Sequence, residues 1–126
     1  MHITRIDEII GGYDFPVEQG ITNEWQWSKW NSGKYEAERC WNIGQATIGN
    51  ALTSYARASN VVEIAQPPHT LVSGYIETNL IGNTSNSGVS LERVGYNQFR
   101  LRKDGASTVV MQGVMIGLRV VAGRWK

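Results

Sequence analysis

From residue 24 to its end the sequence alternates and turns, and nowhere does it settle into a long helical period. Tyr35, Ala37, Arg39, Trp41 and Ile43 share one parity, and Glu36, Glu38, Cys40 and Asn42 the other. Residues two apart lie on the same face of a strand. Just upstream, Trp25 and Trp27 alternate with Glu24, Gln26 and Ser28, and Asn31-Ser32-Gly33 has turn chemistry. This stretch therefore reads as a hairpin with one apolar face. Val62 and Ile64 form a short strand that Pro67-Pro68 stops. In Leu71–Leu80, Val72, Ile76 and Leu80 lie on one face and Leu71 and Tyr75 on the other. A polar loop, Gly82–Gly88, leads to Val89 and Leu91 and then to a turn at Gly95-Tyr96-Asn97. Phe99 and Leu101 point one way, Arg100 and Arg102 the other, and Asp104-Gly105 signals a hairpin. Val109-Val110-Met111 passes through Gln112-Gly113 into a last strand in which Val114, Ile116, Leu118 and Val120 share a face. About eight short strands with no intervening helix predict an all-β domain, a β-sandwich or jelly roll, and not a parallel α/β sheet.

Strands that are apolar on both faces, as at Leu71–Leu80, need two partners. One face fills the core; the other calls for a second subunit. Ile3, Ile6 and Ile10 add to this expectation. Their spacing is that of a, d, a positions, and Ile at both favours trimers. The segment is too short to be a stable helix alone, so it reads as the end of a helical stalk or as an extended leader, with Gly11-Gly12 closing it. The expected organisation is a stalk or neck with a lead-in segment over 1–20, then a homotrimeric β-sandwich head over 21–126.

Charge and cysteine usage remove several function classes. The net charge is +1, with −3 over residues 1–63 and +4 over 64–126. A nucleic-acid binder carries a basic stripe and a strongly basic isoelectric point, so none is expected here. No apolar run is long enough for a membrane span, and Arg5, Asp7 and Glu8 break any secretory apolar region at the start. Cys40 is the single cysteine, so no internal disulfide forms, which suits folding in a reducing cytoplasm. With only His2 and His69 as imidazole bases, Cys40 is expected to be buried and inert.

Four segments together resemble the C-terminal domains of bacteriophage tail and minor structural proteins, many from Gram-positive hosts. Asp14-Phe15-Pro16-Val17-Glu18-Gln19-Gly20 resembles their D-Y-x-V-E-Q-G segment. Trp25-Gln26-Trp27-Ser28-Lys29-Trp30-Asn31-Ser32-Gly33 is similar to W-x-Y-x-K-W-x-S-G, with Trp27 where Tyr is usual. Glu38-Arg39-Cys40-Trp41 resembles E-C-W with one residue inserted, and the chain ends on Gly123-Arg124-Trp125-Lys126, like the G-R-W-K of such proteins. Between 45 and 110 only the strand-like character matches. The resemblance implies a homotrimeric head at a tail or fibre tip in the virion, made in the host cytoplasm. Its implied partners are other tail or fibre components and a host cell-surface carbohydrate. The alternative is a purely structural fibre or decoration protein that binds no receptor.

The physical content of the motif is mainly structural. Four of the five Trp lie between 25 and 41, and rings this dense fill a core or an interface. Lys29 is expected to lie along Trp30 or Trp27 with its ammonium in solvent or paired to Glu36 or Glu38. Glycan hydrolysis needs two carboxylates across a cleft. Glu36 and Glu38 sit at i, i+2 on one strand face, which any solvated face would also show, so no enzyme is expected. No cysteine pair, His-x-x-x-His or Asp-rich loop suggests a metal, and no cofactor is called for. Recognition then falls to loops. Asn83 and Asn86 in the polar loop, Tyr96 with Asn97, and Tyr55 with Arg57 offer the amides and planar rings that sugars require.

Overall fold

A computed structural model describes residues 14–81 and 88–126. The expected trimer contacts Ile3, Ile6 and Ile10 and the ligand candidates Asn83 and Asn86 lie outside the described residues. Ten strands run in order: β1 Pro16–Thr22, β2 Trp25–Trp30, β3 Lys34–Ile48, β4 Asn50–Thr53, β5 Ala56–Ala58, β6 Val62–Glu63, β7 Ser73–Leu80, β8 Val89–Gly95, β9 Gln98–Asp104 and β10 Val109–Arg124. The described residues are all-β, with no helix and so none able to cross a membrane. One sheet has the order β1-β2-β3-β10-β7; the other is β4-β5-β9-β6, with β8 also pairing β9. The chain folds as two compact units. The first holds 14–39, Pro67–Glu77 and Arg119–Lys126; the second holds Cys40–Gln66 and Thr78–Leu118.

In the first unit, Asn23 and Glu24 both take positive φ (51° and 68°), the requirement of a two-residue turn that matches strand twist. Thr22 and Trp25 close it as a cross-strand pair. Trp25, Trp27, Tyr35 and Ala37 then turn inward and are buried, as the alternation predicts. Gly20 sits opposite Trp27. A Cβ there would lie 2.8 Å from the indole Cζ2, so the absent side chain makes room for the ring. Lys29 lies over the Trp27 ring as expected, 5.7 Å from its centroid, but its ion pair is with Glu18 at 3.7 Å, its register neighbour on β1, while Lys34 takes both Glu36 and the Trp30 face.

The second unit has β9 at the centre of its own sheet. Both edges of β9 are filled, by β5 and β6 on one side and β8 on the other. Phe99, Leu101, Met111, Val114, Ile116, Leu118 and Ile48 are buried. Five of these, with Val120, were legible as core from parity alone.

Four expectations need correcting. Asp104-Gly105 is no hairpin turn: with both edges of β9 occupied, the chain leaves that sheet and β10 joins the other. Cys40 is exposed, because it shares the outward parity of Glu36, Glu38 and Asn42. Val72 does not share a face with Ile76; it is 71% exposed against 6%, since Gly74 intervenes with φ +115° and breaks the pleat. Finally, β1, β4 and β5 raise the count above eight. β1 buries no side chain fully, and β5 turns in only Ala56 and Ala58, so none carries a strong apolar period.

Candidate functional site

Three of the segments that carry the resemblance, the lead-in, the Trp-rich hairpin and the chain end, meet at the hairpin turn. Asp14 Oδ2 accepts from Ser32 Oγ at 2.7 Å, and Asp14 Oδ1 accepts from the Ser32 and Phe15 amides. Phe15 and Asn31 exchange two hydrogen bonds, Phe15 N–H to Asn31 Oδ1 and Asn31 N–H to the Phe15 carbonyl. From the chain end, Arg124 Nη2 donates to the Ser32 carbonyl, the Trp125 amide to the Gly33 carbonyl and the Trp125 indole to the Trp30 carbonyl. Gly123 is where the backbones close up: a Cβ would lie 2.6 Å from the Tyr35 carbonyl oxygen. These hydrogen bonds hold Asp14's carboxyl below its usual range, the Ser32 hydroxyl being the largest cause. This cluster is a clamp and leaves its polar groups committed to the fold.

Beside the clamp, His69 packs into the aromatic cluster, its ring 4.3 Å from Trp27 and its Nδ1 2.9 Å from the Tyr35 hydroxyl. Burial, with Lys29 nearby, pushes His69 down against the opposing pull of Glu18, and burial pushes Tyr35 up to about 12. Pro67-Pro68 announced a turn here; nothing in the local sequence announced its aromatic partners.

The loop candidates separate. Tyr55, 77% exposed, lies in the β4–β5 turn beside the end of β9, since Ala56 pairs with Asp104. Tyr96, 76% exposed, lies in the β8–β9 turn at the other end, where Gly95 pairs with Gln98. A seven-residue strand spans roughly 20 Å, so the two rings do not form one site. Arg57 is committed to backbone, with Nε donating to the Ala106 carbonyl and Nη1 to the Gly49 carbonyl. Tyr96 and Asn97 border a recess of about 320 Å³ with Glu63, Gln66 and Gln98. Asn97's carbonyl accepts from the Ile64 amide. Glu36 and Glu38 face a second recess of about 460 Å³ together with Lys34 and Arg119. They stand side by side on β3, with no carboxylate across the space between them. Among the described residues no group of acids, His and Cys is arranged to hold a metal ion.

A recess of about 520 Å³ in the second unit lies away from the loop candidates. Trp41 lines it half-buried, edge to face with fully buried Phe99 at 6.0 Å between centroids. Gln45, Thr47 and Asn60, all exposed, stand on its rim. Gly44 builds this arrangement. Its φ of +76° interrupts the pleat of β3, and the Gly44 amide is held by Asn42 Oδ1 at 2.9 Å. Before Gly44 the odd residues face inward; beyond it Ala46 and Ile48 do, and Gln45 and Thr47 turn out. The signal was present in the sequence, since a glycine inside an alternating strand marks a bulge or bend. The volume is that of a small-molecule site.

Comparison with known proteins finds no matching family model, no similar curated protein and no matching solved structure.

Proposed function

We propose that this chain is the receptor-binding head of a bacteriophage tail or fibre protein, a jelly-roll-like β-sandwich that assembles as a homotrimer and binds a host cell-surface carbohydrate. The observation that carries this is the clamp: the lead-in, the Trp-rich hairpin and the chain end, which carry the resemblance separately, are one another's hydrogen-bond partners. Their spacing in the sequence then has one physical cause. The head would sit at the tip of the virion's tail or fibre, joined to its other components through the N-terminal segment and synthesised in the host cytoplasm.

Trimerisation is supported by apolar side chains on edge strands. Ile21 on β1 is 74% exposed and Tyr75 on β7 53%, and β1 and β7 are the two ends of their sheet. Such side chains on unpaired edges need cover. The same observation favours a second reading, a structural virion protein that assembles but binds no receptor.

Light scattering on the purified chain tests assembly: a mass three times 14.0 kDa is expected, and a stable monomer refutes both readings. Saturable binding to host cells or isolated cell walls is expected of the receptor-binding head alone. A trimer that binds no cell wall leaves the structural role.

A further inference from the structure

The three recesses differ in charge, and the difference selects a ligand class. The Tyr96 recess contains Glu63, and the Glu36 recess contains two acids and two bases. Among the described residues, the Trp41 recess is lined by no charged side chain. Burying an anion there would leave it without a cation to compensate its desolvation. What the walls do offer is an aromatic and aliphatic surface from Trp41, Phe99 and Val62, with Gln45, Thr47 and Asn60 around it.

We propose that the Trp41 recess binds a neutral oligosaccharide, a short chain of uncharged pyranose rings. This inference rests on the glycan-binding reading and specifies its site and chemistry. A pyranose has an apolar face of C–H groups and an equatorial belt of hydroxyls, each of which both donates and accepts. An amide likewise does both, and so does a Thr hydroxyl. Asn60 is held in a set orientation: its Oδ1 accepts from Asn50 Nδ2 at 2.9 Å, which leaves its own amide hydrogens for another acceptor. Ser59, deeper in, serves the fold instead; its Oγ accepts from the Leu101 amide and donates to the Asn60 carbonyl. At about 520 Å³ the recess has room for more than one ring.

The test is isothermal titration of the full chain with two sets of probes. Maltotetraose, chitotetraose and a rhamnose tetrasaccharide are the neutral set; a glycerol-phosphate oligomer and a hyaluronan tetrasaccharide are the anionic set. Binding of a neutral probe is expected, little changed between about 50 mM and about 500 mM NaCl, because no ion pair is available to screen. Gln45→Ala and Asn60→Ala are exposed substitutions, and each is expected to weaken that binding about tenfold at unchanged melting temperature. Trp41→Ala is expected to abolish it, with its own melting temperature measured because the ring also packs on Phe99. Salt-sensitive binding of an anionic probe alone overturns the ligand class. Neutral binding that survives Gln45→Ala and Asn60→Ala but is lost on Tyr96→Ala overturns the site and leaves glycan binding standing. Failure of every probe, in a protein that also binds no host cell wall, refutes the glycan reading itself.

Discussion

Gly20→Ala tests the packing at the heart of the Trp-rich hairpin. The new methyl would lie 2.8 Å from Trp27 Cζ2 and 3.2 Å from Cε2, against the roughly 3.5–4.0 Å at which carbon atoms rest. The ring has little freedom to retreat. Its Nε1 donates to Thr22 Oγ1 at 3.1 Å and its plane meets His69 at 4.3 Å. Overpacking of this kind costs about 1–3 kcal/mol. Gly20 has no left-handed φ, so the substitution adds no backbone strain and gains about 0.4–1 kcal/mol by restricting the unfolded chain. The net is a loss of about 0.5–2 kcal/mol, a fall of roughly 3–8 °C in melting temperature for a domain of this size. Thermal unfolding followed by far-UV circular dichroism measures it, at one fixed protein concentration because assembly contributes to stability. In a Trp27→Phe background the ring atoms that meet the methyl are gone. There, Gly20→Ala is expected to be neutral or stabilising, with a coupling of about 1 kcal/mol or more across the cycle. A rise in melting temperature on Gly20→Ala alone, or an equal penalty in both backgrounds, refutes the reasoning.

Trp125→Ala removes the indole bond to the Trp30 carbonyl and half-buried aromatic area, and is expected to cost about 2–4 kcal/mol in urea unfolding. Stability against pH is expected to form a plateau between about pH 6.5 and about pH 10. Below it, His69, lowered from 6.5 in the fold, withholds its contribution as pH falls, and Asp14, lowered from 3.8, does so further down. Above it, Tyr35, raised from 10.0 to about 12, loses its contribution as pH rises through that interval. Asp14→Asn should flatten the acid limb below about pH 4 and Tyr35→Phe the alkaline limb, both read from urea midpoints. Gly44→Ala places an L side chain at φ +76° with open space around it, so strain alone costs about 1–2 kcal/mol; Gly44→Asn should cost measurably less, because Asn tolerates that region.

Much of the scaffold was legible because burial and alternation coincide in β3 and β10. Tyr35 and Ala37, then Val114, Ile116, Leu118 and Val120, are core in both sequence and structure. Where strands are held by pairing and not by burial, the sequence is silent. β1 is joined residue by residue to β2 yet shows solvent nearly all of its side chains. β5 is sandwiched between β4 and β9 but presents two alanines. The move of the chain from one sheet to the other after Asp104 depends on which edges of β9 are already filled, a fact of tertiary pairing that no dipeptide encodes. The candidate site escaped for a related reason. Turn residues such as Tyr55 and Tyr96 expose their rings, but a recess needs walls. Its walls come from a strand whose phase shifts at one glycine.

That glycine also separates two kinds of residue. The clamp draws on 14–33 and 123–126; the Trp41 recess draws on 41–62 and 99–101, and they share no residue. Apart from the Asp14–Ser32 side-chain bond, clamp contacts run to backbone carbonyls and amides, and a substitution there costs the fold. Rim side chains at Gln45 and Thr47 are exposed, and exposed substitutions usually change stability by about 0.5 kcal/mol or less. The hydroxyl pattern accepted by the recess can therefore change while the clamp stays intact. The lead-in, hairpin and chain-end segments of the resemblance then report the clamp, and its remaining segment, Glu38–Trp41, reaches the recess only at Trp41. The choice of ligand has to be read from the strand beyond Gly44, where the pleat turns Gln45 and Thr47 out toward whatever Trp41 receives.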